Sequence, residues 1–282
     1  MTPSPPPADP NRQVPYEGPH EGPRDAPCNF PHEVSHDAPT RYTSDDGKAF
    51  DYFGDRVSWL DRLRMQASLR VRRQMYEWMR DRLGGMAGKT ILDHGSTPDT
   101  EHIDSNCFIE WAIADGATVY ATSPEPIDHL EQVFPGLCVL TFPPAPGTTP
   151  RLDCVLSSAT IEHVGSEASQ IQYCRDLLAL APRLCLTTPN RYHWLDFHTK
   201  IPLIHWLPRR WHRGILRAIG LKFWSFEANL RLLSKADLDR ILRRSTSSNS
   251  NIPEPSEPLT VEWCEPKFLG CVSNLAVCVQ RE

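Results

Sequence analysis

Two short apolar runs frame the most telling stretch of the chain. Cys154-Val155-Leu156 ends in Ser157-Ser158, and Leu184-Cys185-Leu186 ends in Thr187-Thr188-Pro189. Between them apolar residues recur at Ile161, Val164, Ala168, Ile171, Leu178 and Ala181, the three- and four-residue steps of a helical face. Strand, helix and strand in that order form a βαβ unit, whose parallel strands end on one edge, where open α/β sheets bind ligands. Glu162-His163 and Asn190-Arg191 emerge there, so the pattern points to the working edge of an enzyme.

The same reading extends along the chain. Leu60, Leu63, Ala67, Val71, Met75 and Met79 predict a helix over 57–83, stopped by Gly84-Gly85. Further strands are predicted from Thr90 through Ile91-Leu92 and at 118–121, 137–142, 152–157 and 184–188. Helices are predicted at 107–114 and 127–133, the first capped by Asp104, Ser105 or Asn106. Ser234-x-x-Asp237 has the signature of a capping box opening a helix over 234–243. Two final strands fall near 259–264 and 274–280. This alternation predicts an α/β fold, a doubly wound parallel sheet with a terminal antiparallel pair.

Composition narrows the class. Residues 1–48 hold a large share of the 27 prolines and almost no aliphatic side chains. Such a segment buries too little apolar surface to offset its ordering entropy, so it reads as a disordered tail ahead of one domain over 49–282. The balance of 35 Asp+Glu against 30 Lys+Arg gives no global attraction to nucleic acid. No signal peptide and no run of about 18 apolar residues is present. The nine cysteines form no C-x-x-C pair and read as buried thiols of a reducing compartment. Together these predict a soluble cytoplasmic protein.

Chemistry-bearing residues cluster after the strands. The first strand enters Asp93-His94-Gly95-Ser96-Thr97-Pro98-Asp99, a turn whose backbone N–H groups could face a nucleotide-like ligand, although one glycine is a thin signal. Asp93 could equally tie the loop backbone. His163 is the best candidate base, because imidazole titrates near neutrality, and it reads equally well as a histidine bonded to a backbone carbonyl. Glu162 would orient it or favour a helix N-terminus. Asn190, Arg191 and His193 could face a substrate, and turn chemistry explains Asn190 as well.

Between Phe197 and Phe226, Lys200, Arg209, Arg210, Arg213, Arg217 and Lys222 are interleaved with Trp206, Trp211, Phe223 and Trp224 without one acidic residue. The preferred reading of 190–230 is an aromatic and basic cap over a substrate pocket. Peripheral contact with an anionic membrane is the second reading and RNA stacking the third. No metal site is expected. Cys28, His32 and His36 supply too few ligands for structural zinc, and Pro202 and Pro208 break any helix joining His198, His205 and His212.

With these residues in view, the chain resembles class I S-adenosylmethionine-dependent methyltransferases, in the small-molecule branch called type 11. Ile91-Leu92-Asp93-x-Gly95 is similar to the first motif, Ser158-Ala-Thr-Ile-Glu162-His163-Val164 to the segment after strand four, and Thr187-Thr-Pro-Asn-Arg191 to that after strand five. Thr97-Pro98-Asp99, Asp104-Ser105-Asn106, His198-Thr199 and His205-Trp206-Leu207-Pro208 resemble a bacterial subgroup. The resemblance covers roughly residues 55 to 280. It implies a Rossmann-like seven-stranded sheet in the order 3-2-1-4-5-7-6, the last strand antiparallel, with helices on both faces.

The resemblance also implies a donor site for S-adenosyl-L-methionine at Asp93, Gly95, Ser96, Thr97, Asp99, Glu125 and Ser158. Its acceptor site would comprise Asn190, Arg191, His193, His198 and Trp206, with His163 catalytic. The expected acid after strand two is delayed to Glu125 or Asp128, and none follows strand three. The expected activity is methyl transfer to a small or lipid-like acceptor, at a hydroxyl oxygen. The alternatives are an inactive member that binds a partner or membrane, and a nucleotide-binding enzyme on a similar sheet.

Overall fold

The computed structural model describes residues 59–143, 150–246 and 259–281. The proline-rich segment 1–48 and the Cys28, His32 and His36 spacing lie outside them. Five parallel strands are β1 (Thr90–His94), β2 (Thr118–Thr122), β3 (Leu137–Val139), β4 (Cys154–Ser158) and β5 (Arg183–Pro189). The strands β6 (Leu259–Cys264) and β9 (Asn274–Arg281) complete the sheet, and β7 (Lys267–Phe268) and β8 (Cys271–Val272) form a separate two-stranded hairpin between them. The sheet order is β3-β2-β1-β4-β5-β9-β6, with β9 antiparallel to both neighbours. Apart from the inserted hairpin, this is the order that the resemblance implied.

Alternation along each strand sends neighbouring side chains to opposite cores. Ile91, Leu156, Cys185 and Ala276 join α1 (Trp59–Arg82) and α2 (Cys107–Ala114) on one face. Leu92, Val155, Leu184, Leu186 and Val277 join α4 (Glu167–Leu180) and α6 (Lys235–Thr246) on the other. Strands buried on both sides must be apolar throughout, which is why β4 and β5 read as continuous runs rather than alternating ones. A short helix α3 (Leu130–Val133) precedes β3, and α5 (Arg209–Ala218) lies within 190–230. That segment carries its own small core of Leu216, Trp224, Leu230 and Leu232.

Several expectations shift. Glu162 and His163 do not belong to α4: they form a single 3-10 turn, Ile161–His163. Gly165 at φ 100° breaks the helical path, and Ser166 caps α4 by accepting from the Ser169 backbone N–H at 3.2 Å. The apolar spacing continues across this break, which periodicity alone could not reveal. The Ser234–Asp237 box is present, with the Ser234 backbone N–H donating to Asp237 Oδ2 at 3.2 Å and the Asp237 N–H to Ser234 Oγ at 3.2 Å. An exchange of this kind contributes about 1 kcal/mol.

The cysteine expectation needs correction. Cys185 and Cys278 stand directly opposite in the β5–β9 register with Cα atoms 4.3 Å apart, and they are joined as a disulfide. Spacing along the chain gave no hint of it, because the pairing is across strands 93 residues apart. Cys107, Cys154 and Cys174 are buried thiols, as expected. Among the described residues, no helix is long and apolar enough to cross a membrane.

Candidate active site

The carboxyl ends of β1, β2 and β4 open into one cavity of about 360 Å³, within the usual span of small-molecule sites, roughly 300–1,000 Å³. Asp93, Gly95, Ser96, Thr97, Glu125, Ser158, His163 and His198 all line it, so eight residues singled out from the sequence meet around one space. Phe197, Lys200 and Trp224 form part of its wall from the 190–230 segment.

At the end of β1, Asp93 is buried and accepts from Ser96 Oγ at 2.5 Å. Burial pushes its carboxyl up to about 6, against the lowering pull of the Ser96 hydroxyl and the Arg72 charge. Gly95 follows at φ 93°, a region that side chains avoid, and its N–H donates to the Thr122 carbonyl at 2.8 Å. This bond ties the turn to the end of β2. Asn106 secures the remainder from a left-handed position at φ 52°. Its Oδ1 accepts from the Thr97 N–H at 3.1 Å and its Nδ2 donates to the Thr97 carbonyl at 2.8 Å. Asn106 is thus a loop clasp, with no side-chain cap on α2.

Asp99 is committed elsewhere, accepting from His102 Nδ1 at 3.1 Å, from Ser105 Oγ and from the Glu101 N–H. It holds the loop together and does not line the cavity. Glu125 lies beside Ser123 and Pro124 after β2, half-buried, and burial raises its carboxyl. Of the two acids that could follow β2, Glu125 faces the cavity and Asp128 does not.

The acceptor-side expectations divide. Asn190 donates from Nδ2 to the Val272 carbonyl at 3.0 Å and accepts from the Tyr192 N–H at 3.1 Å, which is turn chemistry. Arg191 donates to the carbonyls of His205 (3.3 Å) and Leu207 (2.9 Å). His193 is fully buried and stacks on Phe197, and Trp206 Nε1 donates to the His193 carbonyl at 3.0 Å. None of these four lines the cavity. Arg191, His193 and Trp206 brace the 190–230 segment through its own backbone, and Asn190 ties the start of that segment to β8. His198 does reach the cavity.

Beyond β4 the site is most ordered. The Ile161 carbonyl accepts from Gln170 Nε2 at 2.9 Å and the Glu162 carbonyl from the Arg231 N–H at 2.7 Å, which fixes the 3-10 turn. His163 Nδ1 is 2.7 Å from the Asn229 carbonyl, so it carries the proton and donates. Its Nε2 lies 3.2 Å from His198 Nε2. His198 Nδ1 is 3.3 Å from Asp196 Oδ1, and Asp196 also accepts from Thr199 Oγ1 at 2.7 Å. Glu162 Oε2 accepts from Thr188 Oγ1 at 2.9 Å, while the buried Oε1 has no hydrogen-bond partner among the described residues and lies 3.9 Å from His198 Nε2.

The electrostatics follow from this arrangement. Burial pushes His163 down to about 3, helped by the neighbouring His198 charge. Burial also works against a charged His198, but the hydrogen bond and charge of Asp196 outweigh it and raise its pKa. Burial would raise Asp196, yet its bonds from His198 and Thr199 prevail and hold it below the usual carboxylate range. His163 is consequently half of a pair rather than an independent base.

Arg72 is not among the residues singled out from the sequence. It lines the cavity from α1, with Nη1 3.4 Å from Ser158 Oγ and Nε 3.9 Å from Asp104 Oδ2. Its position directly beside Val71 on the apolar stripe was the available signal. Asp196 was also missed; Asp196-x-His198-Thr199 is an Asx-type pattern that turn chemistry could have flagged. The expectation of no metal did not foresee that Glu162, His163 and His198 bring one ligand atom each within 4.8 Å of one another.

No family model matches the chain, and no curated protein does. Among solved structures it is similar to magnesium protoporphyrin IX methyltransferase from Synechocystis PCC 6803 with bound SAH. That match has 15% identity over 82% of this chain and 91% of the other, with TM-score 0.47. A TehB-like SAM-dependent methyltransferase from Corynebacterium glutamicum is similar at 13% identity over 77% and 88%, with TM-score 0.44. Likeness at this depth says nothing about activity.

Proposed function

We propose that the chain is an S-adenosylmethionine-dependent methyltransferase acting on a small or lipid-like acceptor at a hydroxyl oxygen. The observation that carries this reading is a single cavity uniting the Gly95 turn, the Glu125 carboxylate and the His163–His198–Asp196 array. The donor fits the residues available. Asp93 and Arg72 offer opposite charges to a zwitterionic amino-acid moiety, Gly95 and Thr97 offer close backbone, and Glu125 offers an acceptor to ribose hydroxyls. Ser96 and Ser158 add hydroxyls to the same wall.

When bound, the donor supplies a methyl group on a positively charged sulfur that is already a good leaving group. The remaining task is alignment and proton removal. Phe197, Phe268 and Trp224 hold an acceptor from the apolar side. A hydroxyl acceptor held there would pass its proton to the imidazole pair as its oxygen took the methyl group and the C–S bonding pair was left on the donor sulfur. His163 and His198 accept one proton between their facing Nε2 atoms, and Asp196 balances its charge.

A lipid-like acceptor is favoured by exposed Leu203, Trp206, Leu207, Trp211, Ile219 and Phe226, all in the 190–230 segment, in which Arg210 and Lys222 are exposed too. Calorimetric titration with S-adenosylmethionine and S-adenosylhomocysteine tests the reading, with one site per chain expected. Absence of heat from both would overturn it in favour of a non-catalytic protein on this fold.

A further inference from the structure

We propose that Arg191, Arg209, Arg213 and Arg231, together with His205 and His212, form a binding site for one phosphate monoester group. They line a second cavity, of about 20 Å³, which has only Trp224 in common with the first. The site stands independently of the function proposed above.

Charge is the first observation. Three of the guanidinium groups pair with Asp237, Glu227 and Glu167, but Asp237 is shared with Arg240, and Glu167 with Arg240 and Arg244. Counting Arg191, six arginines stand against three carboxylates, and none of the three lines the cavity. Arg191 has no carboxylate partner among the described residues, and its hydrogen bonds go to the His205 and Leu207 carbonyls. Burial, then the Arg209 charge, lowers the pKa of both Arg191 and Arg231. These are cations drawn out of water with too little counter-charge.

A pair of buried imidazoles is the second observation. His205 and His212 are 1% and 8% exposed, with ring centroids 6.4 Å apart. His205 Nε2 donates to the His193 carbonyl at 2.7 Å, so in the neutral ring its Nδ1 is an acceptor. That Nδ1 and His212 Nε2 are both buried with no hydrogen-bond partner among the described residues. Buried polar atoms are left unbonded only at a cost, so these two point to a ligand that bonds both.

The chemistry of that ligand follows. A water molecule meets both nitrogens but leaves the excess positive charge uncompensated. Carboxylate and sulfate supply charge, yet near neutrality they only accept, and they set a lone pair against His205 Nδ1. A phosphate monoester, with its second pKa at about 6, brings oxygens for the guanidinium groups and a proton for His205 Nδ1. The cavity admits only a few oxygen-sized atoms, and Leu230, Leu232 and Trp224 supply its apolar wall. It therefore holds the phosphoryl head of a ligand and not its body.

Calorimetry with inorganic phosphate, sulfate and glycerophosphate, and sedimentation with vesicles of phosphatidic acid in phosphatidylcholine, test the site on the full chain. One inorganic phosphate is expected per chain, bound at least tenfold more tightly than sulfate. Arg209→Gln and His212→Gln are each expected to weaken phosphate binding at least tenfold, with circular dichroism reporting the fold. Glycerophosphate binding that His212→Gln weakens assigns the site to a soluble ester. Vesicle binding that His212→Gln weakens and inorganic phosphate displaces assigns it to a lipid headgroup. Absence of phosphate binding by wild type, sulfate bound as tightly as phosphate, or less than threefold loss in a folded Arg209→Gln/His212→Gln chain would overturn the site. S-adenosylmethionine titration of the same samples is read separately, and its failure beside intact phosphate binding refutes only the methyltransferase reading.

Discussion

A Cβ built on Gly95 would lie 2.5 Å from both Cγ2 and Oγ1 of Thr160. The turn after β1 and the loop after β4 therefore meet with no room for a methyl group. This contact brings the proposed donor and acceptor ends onto one cavity.

Gly95→Ala should cost about 2–4 kcal/mol, combining left-handed backbone strain with overpacking. Adding Thr160→Ala should recover the overlap component and leave the backbone cost. Chemical denaturation of the three chains measures both parts, and a Gly95→Ala chain as stable as wild type would contradict the geometry.

Arg72→Gln should weaken S-adenosylmethionine binding tenfold or more, the loss expected when a charge-assisted contact worth roughly 1.5–3 kcal/mol disappears. Calorimetry against the donor decides it. Unchanged affinity would return Arg72 to the role of a helix-surface cation.

Asp93 titrates near pH 6 when folded and near its ordinary value when unfolded. The native state thus keeps this proton longer, so the Asp93 contribution to stability is greatest below about pH 4 and falls as pH rises to about 6. Asp93→Asn should be more stable than wild type at pH 7.5, on the order of 1–2 kcal/mol, while losing donor binding. Thermal melts at pH 4 and pH 7.5 should show the difference growing with pH.

Glu167 behaves in the opposite sense. Bonds from Arg240, aided by Arg231, hold its carboxyl down to about 2. Its stabilising effect is complete above the unfolded value, about 4.3, and is lost as pH falls toward 2. Partial solvent exposure discounts the magnitude to about 1 kcal/mol. Glu167→Gln should flatten the acid limb of a stability–pH curve, and an unchanged limb would assign acid sensitivity elsewhere.

Sedimentation with vesicles of anionic lipid tests the exposed apolar side chains of the 190–230 segment. Wild type should bind at low salt and release as ionic strength rises, and Trp206→Ala/Trp211→Ala should bind at least threefold more weakly. Equal sedimentation of both chains would remove the membrane from consideration.

The sheet was legible because buried parallel strands leave apolar runs, and Cys154-Val155-Leu156 and Leu184-Cys185-Leu186 could hardly be anything else. The turn at Gly95 was legible for the same reason, following directly from a strand end. The boundary between Ile161–His163 and α4 was not, since a 3-10 turn and a helix share apolar spacing. Nor was the fate of Asn190, Arg191 and His193. Residue type marks a side chain as able to bind a ligand, but its backbone partners are set by a fold that brings distant carbonyls alongside. Arg72 illustrates the converse, a cation drawn inward by helix placement that no local pattern specifies.

The 190–230 segment leaves the sheet and returns to it at one place. Asn190 bridges Leu233, and the Arg191 N–H donates to the Leu233 carbonyl at 2.9 Å. A module with adjoining ends can be lengthened, shortened or exchanged without disturbing strand registers on either side. Under the proposed function, choice of acceptor can accordingly diverge at one address while the donor-binding turn stays untouched at another.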